Sequence, residues 1–145
     1  MDRPSSDVAL LLARITFAAL FAASGLRKLM DLDTFAASLV KRGVPYADAL
    51  APIGAGVEFL AGALVLIGFQ TRFAALALVL FTVIATFIGH RFWEFDGPAR
   101  QQQQSHFFKN LAILGGLLAL SVAGGGRYAL DRLWGPRGET ARHCA

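Results

Sequence analysis

Four runs of apolar residues, each about as long as a bilayer is thick, constrain this chain more than anything else in it. They cover residues 8–28, 50–69, 73–90 and 106–124. About 20 residues of helix cross roughly 30 Å of hydrocarbon. In lipid the backbone must satisfy its own amides and carbonyls, which leaves the α-helix as the form for such runs. The fold class expected is all-α: an integral membrane four-helix bundle, one domain over residues 1–145, with neighbouring spans antiparallel. A 55% hydrophobic, 17% charged composition and a mean hydropathy of +0.52 agree with that.

The segments between spans carry their own signals. Arg14 inside the first run and a non-basic start argue for a retained span rather than a cleaved signal peptide. Residues 31–40 read as a short amphipathic helix at the interface between spans 1 and 2, with Phe35 and Leu39 toward lipid, broken by Gly43 and Pro45. Pro52 suits the first turn of the second span, and Gln70-Thr71-Arg72 is a tight connection to the third. Residues 91–105 read as a polar segment in which Phe92, Trp93 and Phe95 form a headgroup belt and Gly97-Pro98 turns the chain. Residues 127–145 are a basic tail with one short helix near residues 128–134.

The formal charge of +4 comes from cations flanking the spans. No compact basic run with interleaved aromatics is present, so nucleic acid is not an expected partner. Cys144 is the only cysteine, which excludes an intramolecular disulfide and a CxxC redox pair. Counting flanking charges does not orient the chain, because the 14 Lys and Arg divide seven to seven between the two faces.

Function is sought among the polar groups inside the spans. Glu58 stands in a greasy helix, with Gly54 and Gly62 four residues either side on the same face. An intramembrane acid costs roughly 2.5–3.5 kcal/mol and calls for a partner or a purpose. On the first span Arg14, Ala18, Phe21, Gly25 and Lys28 form one inward stripe. By helix rise, Arg14 and Glu58 differ in depth by roughly 7 Å, within combined side-chain reach, so an Arg14–Glu58 ion pair is expected. At the opposite end Lys28, His90, His106, Lys109 and Asn110 lie near the ends of three helices. They read as a polar pocket floored by Glu58, suited to a quinone headgroup or a small anion. The plainer reading is that the cations snorkel to headgroups and that Glu58 only pins packing. Thr82, Thr86 and His90 make a further stripe on the third span. His90 and His106 could meet, but no other ligands stand at recognisable spacing, and no metal centre is expected.

The chain resembles the DoxX family of small four-span bacterial inner-membrane proteins. The matching stretches are Ser24-Gly25-Leu26-Arg27-Lys28, Gly43-Val44-Pro45, Glu58 with Gly62, and Gly68-Phe69-Gln70-Thr71-Arg72. Further ones are His90-Arg91-Phe92-Trp93 and Phe108-Lys109-Asn110-Leu111-Ala112 leading to Gly115-Gly116. The resemblance implies a multi-pass inner-membrane protein with both termini cytoplasmic. It also implies partnership with other membrane or soluble redox subunits, since some members belong to membrane oxidoreductase assemblies such as thiosulfate:quinone oxidoreductase. Cys144 is badly placed for a sulfur centre, so sulfur chemistry is not expected within this chain. The expected function is thus an accessory subunit of a quinone-linked oxidoreductase or redox-stress assembly. The alternatives are a small proton-coupled carrier working through Glu58 and a scaffold docking partners through its basic tail. Self-association is left open.

Overall fold

A computed structural model describes residues 4–134 of the chain. Four long helices form the bundle: α1 (Pro4–Met30), α3 (Ala47–Ile67), α4 (Thr71–Gly89) and α5 (Gly97–Ala123). A short α2 (Leu32–Lys41) follows α1, and α6 (Asp131–Trp134) closes the described chain. The four long helices are each long and apolar enough to cross a membrane. The expected bundle with its helix between spans 1 and 2 is what the chain forms.

Helix α1 packs along α3 and α4 along α5, and the α3–α4 contact joins the two pairs. Phe17 of α1 lies against Gly116 of α5, closing the ring. The core is Phe21, Ala61, Val65, Ala74, Ala75, Leu78, Leu117 and Leu120. Most large apolar side chains face outward instead, among them Leu12, Leu60, Phe73, Leu80 and Val122. Lipid is as apolar as leucine, so burial by itself does not hold such helices together; close backbone approach does. The buried face of α3 is accordingly built from Ala47, Ala51, Ala55, Ala61 and Gly62. The stripe expected on α1 is inward-facing: Arg14, Ala18, Phe21 and Gly25 are buried and Lys28 is half-buried.

Two glycines set how α1 and α3 meet. A Cβ on Gly25 would lie 2.5 Å from the Phe59 amide nitrogen, and one on Gly62 would lie 2.7 Å from that of Ala22. The chain turns from α3 to α4 at Gly68–Gln70. Gly68 takes the left-handed conformation at φ 72°, and Phe69 N–H returns to the Leu64 carbonyl at 3.0 Å, a Schellman stop.

Three local expectations are corrected. Helix α3 begins at Ala47, so Pro52 falls in its second turn and leaves the Asp48 carbonyl without its usual amide. Phe35 faces inward, its ring 5.0 Å from Lys28 Nζ, because the apolar side of α2 lies on α1 and α3. Gly97-Pro98 starts α5 rather than turning the chain before it. Proline at the head of a helix loses no bond and glutamine is a good helix former, so residues 101–104 extend α5. At 27 residues α5 is about 40 Å long, roughly 10 Å more than the hydrocarbon needs. Phe92 and Trp93 form a 3-10 turn and join Phe87 and Phe107 in an aromatic cluster of edge-to-face pairs, with Phe87 and Trp93 tilted at 46°.

Replacing Gly62 by Val should force α1 from α3 and cost about 1–3 kcal/mol, the range for overpacking a tight contact. Thermal unfolding in mild detergent reads this; an unchanged midpoint would mean that the close approach does not hold the pair.

Candidate functional site

Glu58 is buried at mid-helix on α3, and its partner is Lys28, not Arg14: Lys28 Nζ stands 2.5 Å from Glu58 Oε2. The expected Arg14–Glu58 pair is therefore corrected. Register explains it. With Gly25 against Phe59 and Gly62 against Ala22, Glu58 lies opposite the last turns of α1. Arg14 is about 18 Å further up that helix.

Arg14 has a different task. It is 1% exposed, and among the described residues its guanidinium donates only to backbone carbonyls. Nε reaches Val65 O at 2.9 Å, Nη2 reaches Leu66 O at 2.6 Å, and Nη1 reaches Gly125 O and Tyr128 O, both at 3.0 Å. The first two acceptors belong to the last turn of α3, which carries the negative end of its dipole; Val65 O also accepts the Gly68 cap amide at 3.2 Å. A Cβ on Gly68 would sit 2.6 Å from Nη2, so glycine there also makes room for the arginine.

The next helix is capped from the same segment. Asp131 accepts from the Gln70 amide at 2.5 Å and the Thr71 amide at 2.9 Å, at the positive start of α4. Burial alone would raise its carboxyl, but the hydrogen bonds from Thr71 and Gln70 and the nearby Arg14 charge outweigh that and hold it below its usual range. Asp7 accepts the Arg127 amide at 2.9 Å, tying the start of α1 to the same strap. At the other end of the bundle Arg42 donates to Gly89 O at 2.6 Å, capping the C-terminus of α4, and Arg91 donates back to Arg42 O at 2.5 Å.

The remaining predicted residues separate into two sets. Lys28 and Glu58 lie between α1 and α3, with the rings of Phe35 and Phe81 5.0 and 5.5 Å from the ammonium. Lys28 borders an open cleft of about 320 Å³ walled by α1, α2 and the Asp31 between them, including Ser24, Thr34, Phe35 and Ser38. His90 and His106 stack between α4 and α5 with centroids 5.0 Å apart and planes at 18°, and His90 Nδ1 lies 2.9 Å from Gln103 Oε1. Deeper between the same helices, Asn110 donates to Thr86 Oγ1 at 2.9 Å, and Thr86 donates to Thr82 O at 2.6 Å. Lys109 is exposed. The cleft at Lys28 is thus not lined by the histidines. Near-parallel stacked rings do not converge two nitrogens on one ion, and the described residues hold no group of three or more metal-binding side chains.

Sequence reasoning missed Phe35, Phe81, Arg42 and Asp131. Arg42 and Asp131 serve backbone ends distant in sequence, so no local spacing marks them. Phe35 follows Lys28 at i+7 across a helix break, a signal visible only once α2 folds back.

Similarity to known proteins follows the same span pattern. The DoxX family model matches residues 9–91, from the first span to the end of the third. The chain is 34% identical over 125 residues to the inner membrane protein YphA of Escherichia coli, covering 86% of this chain and 89% of that one. It is 35% identical over 127 residues to the inner membrane protein YqjF of the same organism, covering 88% and 92%. A shorter match, 41% over 71 residues, is to the Surfeit locus protein 4 homolog of Schizosaccharomyces pombe, covering 48% of this chain and 24% of that protein. No solved structure matches the chain.

Two outcomes check the capping scheme. Arg14→Met, which removes the side-chain donors to the carbonyls of Val65, Leu66, Gly125 and Tyr128, should lower stability by about 2–4 kcal/mol in detergent unfolding, with partial recovery in Arg14→Lys. Asp131 has a depressed folded-state pKa, so its contribution is full at neutral pH and is lost as pH falls through and below the ordinary carboxylate range. The acid side of the stability–pH curve should flatten in Asp131→Asn; an unaltered curve would remove Asp131 from the cap.

Proposed function

The chain belongs to the DoxX family of membrane proteins, and from that membership we propose that it is an accessory membrane subunit of a quinone-linked redox assembly. Its site is the Lys28–Glu58 pair, and the ligand is a quinone headgroup seated in the adjoining cleft. Both bacterial relatives named above are inner membrane proteins, which supports the same membrane here, with termini toward the cytoplasm as the family resemblance implies.

One observation carries the reading. Lys28 is only partly spent on Glu58, with 29% of its side chain accessible against 5% for its partner, and it borders an open cleft beside an aromatic ring. An ammonium has three donors, so those not facing Glu58 are free to meet a carbonyl oxygen. The Phe35 face offers a surface for a flat ring, and an isoprenoid tail would find lipid beside the exposed Met30. Glu58 orients the lysine through a direct ion pair between α1 and α3, within the apolar bundle, where a cation without a partner would be costly. The stacked His90–His106 pair with Lys109 and Asn110 forms a second polar group of the same end, open to the headgroup region.

The depth of Glu58 favours one other reading, a proton-coupled carrier in which this acid is alternately paired with Lys28 and protonated. The two readings separate experimentally. Protein reconstituted in nanodiscs with a long-chain quinone should retain it through purification, and Lys28→Met should lower retention about tenfold or more, the equivalent of one lost charge-assisted hydrogen bond. Equal retention by both proteins would sink the quinone site. Solute or proton flux in proteoliposomes that disappears in Glu58→Gln would establish the carrier instead.

A further inference from the structure

The opposite, terminal end of the bundle holds an open cleft that the proposed function does not use. It has a volume of about 390 Å³ and lies where the start of α4 and the end of α5 meet the Gly124–Gly126 run and α6. Arg72 and Arg132 line it, and both are exposed. Among the described residues, neither side chain makes a hydrogen bond or ion pair. Asp131 also lines the cleft, but its two oxygens each already accept a backbone amide, from Gln70 and from Thr71. Among the described residues, the cleft therefore presents two uncommitted guanidiniums beside a carboxylate whose oxygens each already accept an amide. Gly124, at φ 80°, keeps the wall open: a Cβ there would stand 3.3 Å from Arg72 Nε.

Depth identifies the ligand. Helix α4 is 19 residues, about 28 Å, and so matches the hydrocarbon, which puts its first residues at the headgroup boundary. Next to Arg72, Phe73 is 71% exposed, and Leu76 and Leu80 continue its apolar stripe down α4. Cationic donors at the boundary and an apolar track leading from them match an amphiphile with a phosphate head and an acyl chain. Basic pockets at helix ends hold anionic headgroups in this way.

We propose that Arg72 and Arg132 form a binding site for the phosphate of an anionic phospholipid, with its acyl chain lying along Phe73, Leu76 and Leu80. The lipid then seals the end of the bundle that Arg14 and Asp131 cap from within.

The test uses the full chain in detergent and in nanodiscs of phosphatidylcholine with and without phosphatidylglycerol. Phosphatidylglycerol should raise the unfolding temperature and survive on the protein in native mass spectrometry, whereas phosphatidylcholine should not. The double variant Arg72→Gln/Arg132→Gln should lose the shift and at least about tenfold in lipid affinity, the equivalent of one or more lost charge-assisted hydrogen bonds. Arg100→Gln, at the far end of the bundle, should keep both. Both substituted arginines are exposed, so circular dichroism should show the double variant fully helical. Three results would overturn the site: equal retention of both lipids, a double variant that binds like the parent, or an equal loss in Arg100→Gln. Inorganic phosphate that stabilises the protein as strongly as phosphatidylglycerol would also overturn it, since the acyl chain would then contribute nothing.

Discussion

Arg14 is the contact on which the rest of the architecture depends. A guanidinium buried to 1% exposure is tolerable only if its donors find acceptors, and here every acceptor is a backbone carbonyl. Two come from the end of α3, one from the glycine run after α5, and one from the loop before α6. One side chain of α1 therefore requires three other segments to be in place at once. It also settles a problem that short turns create in lipid: Gly68–Gln70 leaves the end of α3 and the start of α4 side by side with their backbone groups open. Arg14 answers the negative end and Asp131 the positive one, each from a segment remote in sequence. Arg42 repeats the device at the far end of α4.

With the helix ends held by polar groups, the sides pack largely by shape, with Lys28–Glu58 and Asn110–Thr86 as polar contacts between them. Alanine and glycine face inward along α3 while leucine and phenylalanine face lipid, the reverse of a water-soluble bundle. Such a face allows little sliding. Gly25 and Gly62 each receive a neighbouring backbone, and that fit decides which residues of α1 and α3 stand opposite one another. The Lys28–Glu58 pair is a consequence of this register.

The bundle thus has two chemically different ends. At the terminal end, charges serve the backbone and leave Arg72 and Arg132 facing outward. At the other end Arg42 and Arg91 also serve the backbone, but side chains there meet one another as well: an ammonium with a carboxylate, two stacked imidazoles, and an amide with a threonine hydroxyl. Lys28 keeps spare donors in this way, which is why the quinone headgroup is placed beside it, whereas the terminal end offers only outward-facing guanidiniums to a lipid phosphate.

Much of this was legible in the residues alone. Apolar runs of bilayer length dictate four helices, because a backbone in hydrocarbon has no other way to satisfy itself. The 3.6-residue period placed Arg14, Ala18, Phe21, Gly25 and Lys28 on one inward face, and the cost of a buried acid singled out Glu58. Pairing was not legible. Depth counted from estimated helix starts put Arg14 within reach of Glu58, whereas the register set by two glycines gave the acid to Lys28 and Arg14 to the carbonyls of α3. Nor could periodicity show that α2 would turn Phe35 onto Lys28, or that Asp131 would cap α4 from 60 residues away. Period and hydropathy are properties of one helix. Partner choice belongs to the contact between helices, and only the tertiary structure decides that.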